Sequence, residues 1–133
     1  IRQVATIART IHRNGLNHRD FYLCHFLVKD RDWSQWQPSQ SLVLHLIDLH
    51  RMQHRSEVPK RWWVKDVTGV FFSAMDCDLT RNDLFRFARI YWDGSVRERV
   101  WEKQGVLWEI YRKARRLYQS IHGREAPDPA AGR

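Results

Sequence analysis

His18-Arg19-Asp20 lies in a short polar turn, and a second carboxylate, Asp48, closes the apolar run Leu42-Val43-Leu44-His45-Leu46-Ile47. Phosphoryl transfer asks for two carboxylates with different duties. One takes or orients the proton of an attacking hydroxyl, and the other holds Mg²⁺ against the phosphates of a nucleotide. Asp20 and Asp48 are far apart in sequence, so folding must bring them together. Phe21 to Val28 is aromatic-rich and of strand length. Paired with the 42–47 run in a hairpin, it returns the chain to its start and sets Asp20 beside Asp48. A bare His-Arg-Asp triplet is a weak signal. It is more specific with a helix before it, a strand pair after it and an Asp at the far end. The bland reading of the same residues is a turn carboxylate and a strand-end cap.

The positioning elements follow from periodicity. Val4, Ile7, Ala8 and Ile11 recur at helical spacing, which predicts a helix up to Arg13 stopped by Asn14-Gly15. Lys29 to Ser41 is polar and reads as a long loop, with Trp33 and Trp36 pinning it. After Pro59 the pattern is helical. Trp63, Val67, Val70, Phe71 and Ala74 form one stripe, and Thr80 with Asp83 is a capping signature for a helix carrying Leu84, Phe87, Ala88 and Tyr91. Asp93-Gly94-Ser95 breaks it. A last helix shows Leu107, Ile110, Tyr111, Ala114, Leu117, Tyr118 and Ile121 and stops at Gly123, leaving 124–133 as a loose tail.

The segment Asn17 to Leu27 resembles the catalytic loop of the lipopolysaccharide core heptose kinases, and Leu46 to Arg51 resembles their metal-binding stretch. The likeness runs from about Ile11 to the Leu79-Thr80-Arg81 region. It implies a mostly α fold with a small β-hairpin, the carboxy-terminal lobe of a protein-kinase-like fold spanning 1–123. The catalytic turn and metal-binding hairpin occupy 14–51 and the helical part 59–123. It implies ATP and Mg²⁺ as cofactors, Asp20 as the catalytic carboxylate supported by His18 and Arg19, and Asp48 as the metal ligand. The acceptor implied is the first inner-core heptose of a lipid A-linked oligosaccharide, at the cytoplasmic face of the inner membrane. Five residues after Asp20, where protein kinases carry an Asn ligand for a second Mg²⁺, stands His25. Imidazole is a poor ligand for hard Mg²⁺, so His25 is either a metal ligand or a hydrogen-bond partner of phosphate or of Asp20. Leu49-His50 replaces the usual Phe-Gly after the metal Asp. The six glycines are scattered and make no phosphate-cradling loop. Nothing resembles the amino-terminal-lobe Lys that pairs with nucleotide phosphates. That lobe is expected upstream, and the 133 residues alone are expected not to transfer phosphate.

The formal net charge of +8 calls for an anionic partner. Arg51 and Arg55 are candidate contacts to anionic sugar or phosphate, and Trp62, beside Arg61 and Lys65, could stack on a sugar; a solvated basic face is the plain alternative. His50 and His54 stand four apart without an evident third metal ligand. Asp66 would favour a helix dipole or brace the catalytic turn. Arg112, Lys113, Arg115 and Arg116 crowd the last helix, either as a solvated face or as a docking site for an anionic membrane surface or an acidic protein such as an acyl carrier protein. A basic helical nucleic-acid-binding module would use the same charge, but it leaves Asp20 and Asp48 without work, so no nucleic acid is expected. No apolar run approaches the roughly 18 residues that span a bilayer. Two cysteines, Cys24 and Cys77, make no disulfide framework and suit a reducing compartment.

Overall fold

The computed structural model describes residues 1–37, 40, 42–93 and 96–128, without the side chains of 96–104. Helix α1 (Arg2–Arg13) buries Val4, Ala5 and Ala8 on one face. Small residues at the contact let it lie close against α4 (Arg81–Trp92). Gly15 ends the turn after α1 with φ 74°, and a Cβ there would overlap the carbonyl oxygen of Arg55. Only glycine fits both demands.

Helix α3 (Lys60–Ser73) starts after Pro59 and buries Val64, Asp66, Val67, Thr68, Gly69, Val70 and Phe71. Such all-round burial marks a central helix, and α3 packs on α5 (Val96–His122) through Ile110, Ala114 and Tyr118. The capping box expected at Thr80 and Asp83 opens α4. Asp93 closes α4 in a left-handed conformation, whereas Gly94 and Ser95 of the expected break lie outside the described residues. The stripe expected on α5 is narrower than predicted: Leu107, Tyr111 and Leu117 are half-buried and Ile121 is exposed. Gly123 follows α5 with φ 65°.

Three expectations need correction. The expected pairing of 21–28 with 42–47 forms over only two residues of each run, nested inside a second two-residue antiparallel ladder. In the outer one β1 (Leu16–Asn17) pairs with β4 (Gln53–His54), and in the inner one β2 (Phe26–Leu27) pairs with β3 (His45–Leu46). Phe21 is buried, and Leu23–His25 forms a 3₁₀ turn. The reason is that this segment finds its partner in α3: the Leu23 amide donates to Ser73 Oγ at 2.9 Å. Within the loop 29–41, Asp30–Ser34 forms a short helix, α2, and Trp33 stacks on Trp36; Pro38, Ser39 and Ser41 lie outside the described residues. The start of the expected loose tail is held down. Ala126 is buried in the core, and Arg124 pairs with Asp76 at 3.0 Å and lies over the Tyr118 ring. Residues 129–133 lie outside the described residues.

Candidate active site

The turn between β1 and the 3₁₀ segment carries Asp20, and a second 3₁₀ turn (Leu49–Arg51) follows Asp48. Three contacts bind these segments together. His18 Nε2 donates to the Ile47 carbonyl at 2.9 Å. The Ile47 amide donates to the His25 carbonyl at 3.0 Å. His25 Nδ1 donates to the Asp20 carbonyl at 2.6 Å, which leaves Nε2 to face Asp48 Oδ2 at 3.5 Å. His25 thereby links the Asp20 main chain to the Asp48 side chain.

The backbone is strained there. Arg19 has φ 78° and Asp48 φ 62°, and a non-glycine residue in the left-handed region persists only where its surroundings over-determine it. For Arg19 the surroundings are visible. Asp66, fully buried in α3, accepts from the His18 amide at 2.7 Å and the Arg19 amide at 2.8 Å. His12 Nε2 of α1 donates to the same carboxylate at 3.1 Å, and its Nδ1 accepts from the Tyr91 hydroxyl of α4 at 2.7 Å. Burial and then the Asp66 carboxylate push the Tyr91 phenol well above its usual range. Of the two duties open to Asp66, the structure gives it the brace. Three helices thus converge behind the turn that presents Asp20. Gly69 belongs to this support, since a Cβ there would come within 2.9 Å of the Phe21 carbonyl oxygen.

Arg51 is exposed, and its Nη1 lies 2.8 Å from Asp20 Oδ2. Arg55 donates to the side-chain oxygens of Asn17 and Gln53. Trp62 sits among the cations of Arg19, Arg55, Arg61 and Lys65. On α5, Arg112 and Arg116 are exposed, whereas Lys113 pairs with Glu109 and Arg115 lies over the Tyr111 ring. Ser73, which takes the Leu23 amide, escaped sequence reasoning as part of the site; it is distant in sequence and gave no signal.

Among the described residues, no group of three or more His, Cys, Asp or Glu side chains could hold a metal alone. His50 Nδ1 pairs with Asp48, and no third ligand joins His50 and His54. That excludes a zinc cage within the described residues, but a hard cation that keeps nucleotide oxygens and water needs only one or two carboxylates. Asp48, 31% exposed, fits that demand.

Fold and site define a kinase-like carboxy-terminal lobe, in which a His-Arg-Asp turn is hydrogen-bonded to the segment that carries a second carboxylate. The family model for the lipopolysaccharide kinase (Kdo/WaaP) family matches residues 1–91, and the chain belongs to that family. It is 42% identical over 120 residues to the lipopolysaccharide core heptose(I) kinase WaaP of Pseudomonas aeruginosa, covering 90% of this chain and 43% of the relative. To the corresponding kinase of Escherichia coli it is 38% identical over 117 residues, covering 88% and 43%. A solved structure of WaaP in complex with acyl carrier protein matches with TM-score 0.73 and 42% identity, over 86% of this chain and 48% of that one. The chain thus spans less than half the length of these relatives. No helix among the described residues is long and apolar enough to cross a membrane.

Proposed function

We propose that this chain is the catalytic and metal-binding half of an ATP-dependent kinase that phosphorylates the first inner-core heptose of lipopolysaccharide. The observation that carries the reading is His25, which holds the Asp20 main chain and faces the Asp48 carboxylate. Asp20 would orient the heptose hydroxyl. Asp48 would hold Mg²⁺, which when bound supplies charge neutralisation on the ATP phosphates. His18 and His25 set the spacing of the two segments, and Asp66 fixes the turn. A lipid-linked acceptor places the work at the cytoplasmic face of the inner membrane. The test is transfer of labelled γ-phosphate from ATP to core oligosaccharide by the whole protein. Transfer lost in Asp48→Asn supports the reading; no transfer by the wild type, with folding intact, overturns it.

A second reading concerns α5, whose outer face presents an exposed Trp108 beside Arg112, Arg115 and Arg116 around a cleft of about 270 Å³. An aromatic anchor ringed by arginines suits an acidic protein surface, and a solved relative is in complex with acyl carrier protein. We propose that this face docks an acyl carrier protein. Arg112→Glu with Arg116→Glu should weaken binding to that protein and flatten its salt dependence. Unchanged binding would return the face to solvent, and tight duplex DNA binding with a steep salt slope would favour the nucleic-acid alternative.

A further inference from the structure

Four cations surround one indole. The guanidinium carbons of Arg19, Arg55 and Arg61 lie 5.3, 5.5 and 5.1 Å from the centre of the Trp62 ring, and the Lys65 ammonium lies 5.8 Å from it. An indole has two faces and can satisfy a cation over each; four gathered positive charges repel one another beyond what the ring offsets. Several basic side chains elsewhere find carboxylates, as Arg9 and Arg13 do with Asp93, Arg51 with Asp20 and Lys60 with Glu109. None of these four has an ion pair with a carboxylate among the described residues, and the fork of Arg55 is held by two neutral amide oxygens, of Asn17 and Gln53. Trp62 Nε1 and Arg19 Nε are buried without a hydrogen-bond acceptor, as is Nδ2 of the fully buried Asn17. A site with four positive side chains, none paired with a carboxylate, and three spare N–H donors is built for an oxyanion.

Its position says whose. Arg19 precedes Asp20 in the catalytic turn, Arg55 follows the segment that carries Asp48 and Arg51, and Arg61 and Lys65 stand on the first turns of α3. We propose that this cluster is an acceptor subsite: it binds a carboxylate or phosphoryl group that the acceptor carries apart from the hydroxyl to be phosphorylated. This rests on the kinase reading above. The subsite makes the acceptor's own acidic group a specificity determinant, and it ties the catalytic turn to the segment after Asp48 once the acceptor is bound.

Arg61 and Lys65 are exposed, so Arg61→Ser with Lys65→Ser removes half the charge without touching the braced turn. In the whole protein the KM for acidic core oligosaccharide should rise about tenfold or more, the worth of one or two charge-assisted hydrogen bonds. kcat and the KM for Mg²⁺-ATP should hold. With the same oligosaccharide after dephosphorylation and carboxyl reduction, wild type and variant should become equal. Calorimetric binding of the two oligosaccharides, without ATP, reads the subsite even if no phosphate is transferred, so failure of the kinase reading and failure of the subsite are separable. An unchanged KM and affinity for the acidic oligosaccharide overturns the proposal. So does an equal loss on the neutralised one. Inorganic phosphate that binds through Arg61 and Lys65 while acidic and neutral acceptors bind alike would assign the site to a free anion and overturn its acceptor role.

Discussion

Arg51 lies across the carboxylate of Asp20, its Nη1 at 3.0 Å from Oδ1 and 2.8 Å from Oδ2. One nitrogen spanning both oxygens fixes the plane of the carboxylate, and Arg51 itself is carried by the 3₁₀ turn directly after Asp48. The segment that bears the proposed metal ligand therefore sets the orientation of the proposed hydroxyl acceptor. In the whole protein, Arg51→Ala should lower kcat by about tenfold, with little change in KM for ATP, because a loosely held carboxylate spends less time aligned on the hydroxyl. A higher kcat in this variant would show instead that the pair is a lock the reaction must open.

The brace behind the turn predicts a stability effect. Asp66 is a buried carboxylate with three donors on it, two of them main-chain amides of the catalytic turn. Asp66→Ala should cost about 3–5 kcal/mol, the usual result of removing one partner from a buried charged network. Tyr91→Phe, which removes only the outermost hydroxyl of the relay, should cost about 1 kcal/mol. Urea midpoints of the two variants give the comparison, and equal midpoints would remove Asp66 from its bracing role.

Much of this architecture was legible in the sequence, and the boundary has a physical cause. The helices were visible because Val4 and Ala8, Val67 and Val70, or Ile110 and Ala114 repeat with the helical period, and Thr80 and Asp83 are local partners. The turn at Asp20 was visible through its neighbours. The strand pair was overdrawn because Phe21 to Val28 has strand composition, yet its amide at Leu23 is taken by Ser73, 50 residues away. Arg61 and Lys65 beside Trp62 were visible as sequence neighbours, whereas the clamp of Arg51 on Asp20 and the approach of Arg19 to Trp62 are non-local, and no sequence period encodes them.

The capping box of α4 should make part of the stability depend on pH. The Thr80 hydroxyl and then its amide donate to Asp83 and hold its carboxyl below the ordinary 3.8. A depressed folded value means the contribution is complete above 3.8 and fades as pH falls through the lower folded value. Thr80→Ala should cost about 0.5–2 kcal/mol near neutrality. The deficit should shrink in acid, where the protonated Asp83 no longer completes the box in the wild type. A deficit constant across that range, in urea unfolding at both pH values, would show that the carboxylate is not part of the cap.

The two site carboxylates should separate in kinetics because they have different work. In the proposed mechanism Asp20 acts on the acceptor hydroxyl, so Asp20→Asn in the whole protein should lower kcat while Mg²⁺-ATP affinity stays nearly intact. A positioned base is typically worth roughly 10²- to 10⁴-fold, and the low end is expected because a loose phosphoryl-transfer transition state leaves a base little to do. Asp48→Asn would remove a charged oxygen from the proposed metal site, so nucleotide affinity should fall and the Mg²⁺ concentration needed for activity should rise. His25 spans the two, its Nδ1 on the Asp20 carbonyl and its Nε2 facing Asp48, so His25→Ala asks which side it serves. A raised metal requirement would place it with Asp48, and a pure rate loss would place it with Asp20. Full activity with ordinary metal dependence in both Asp variants would end the kinase assignment.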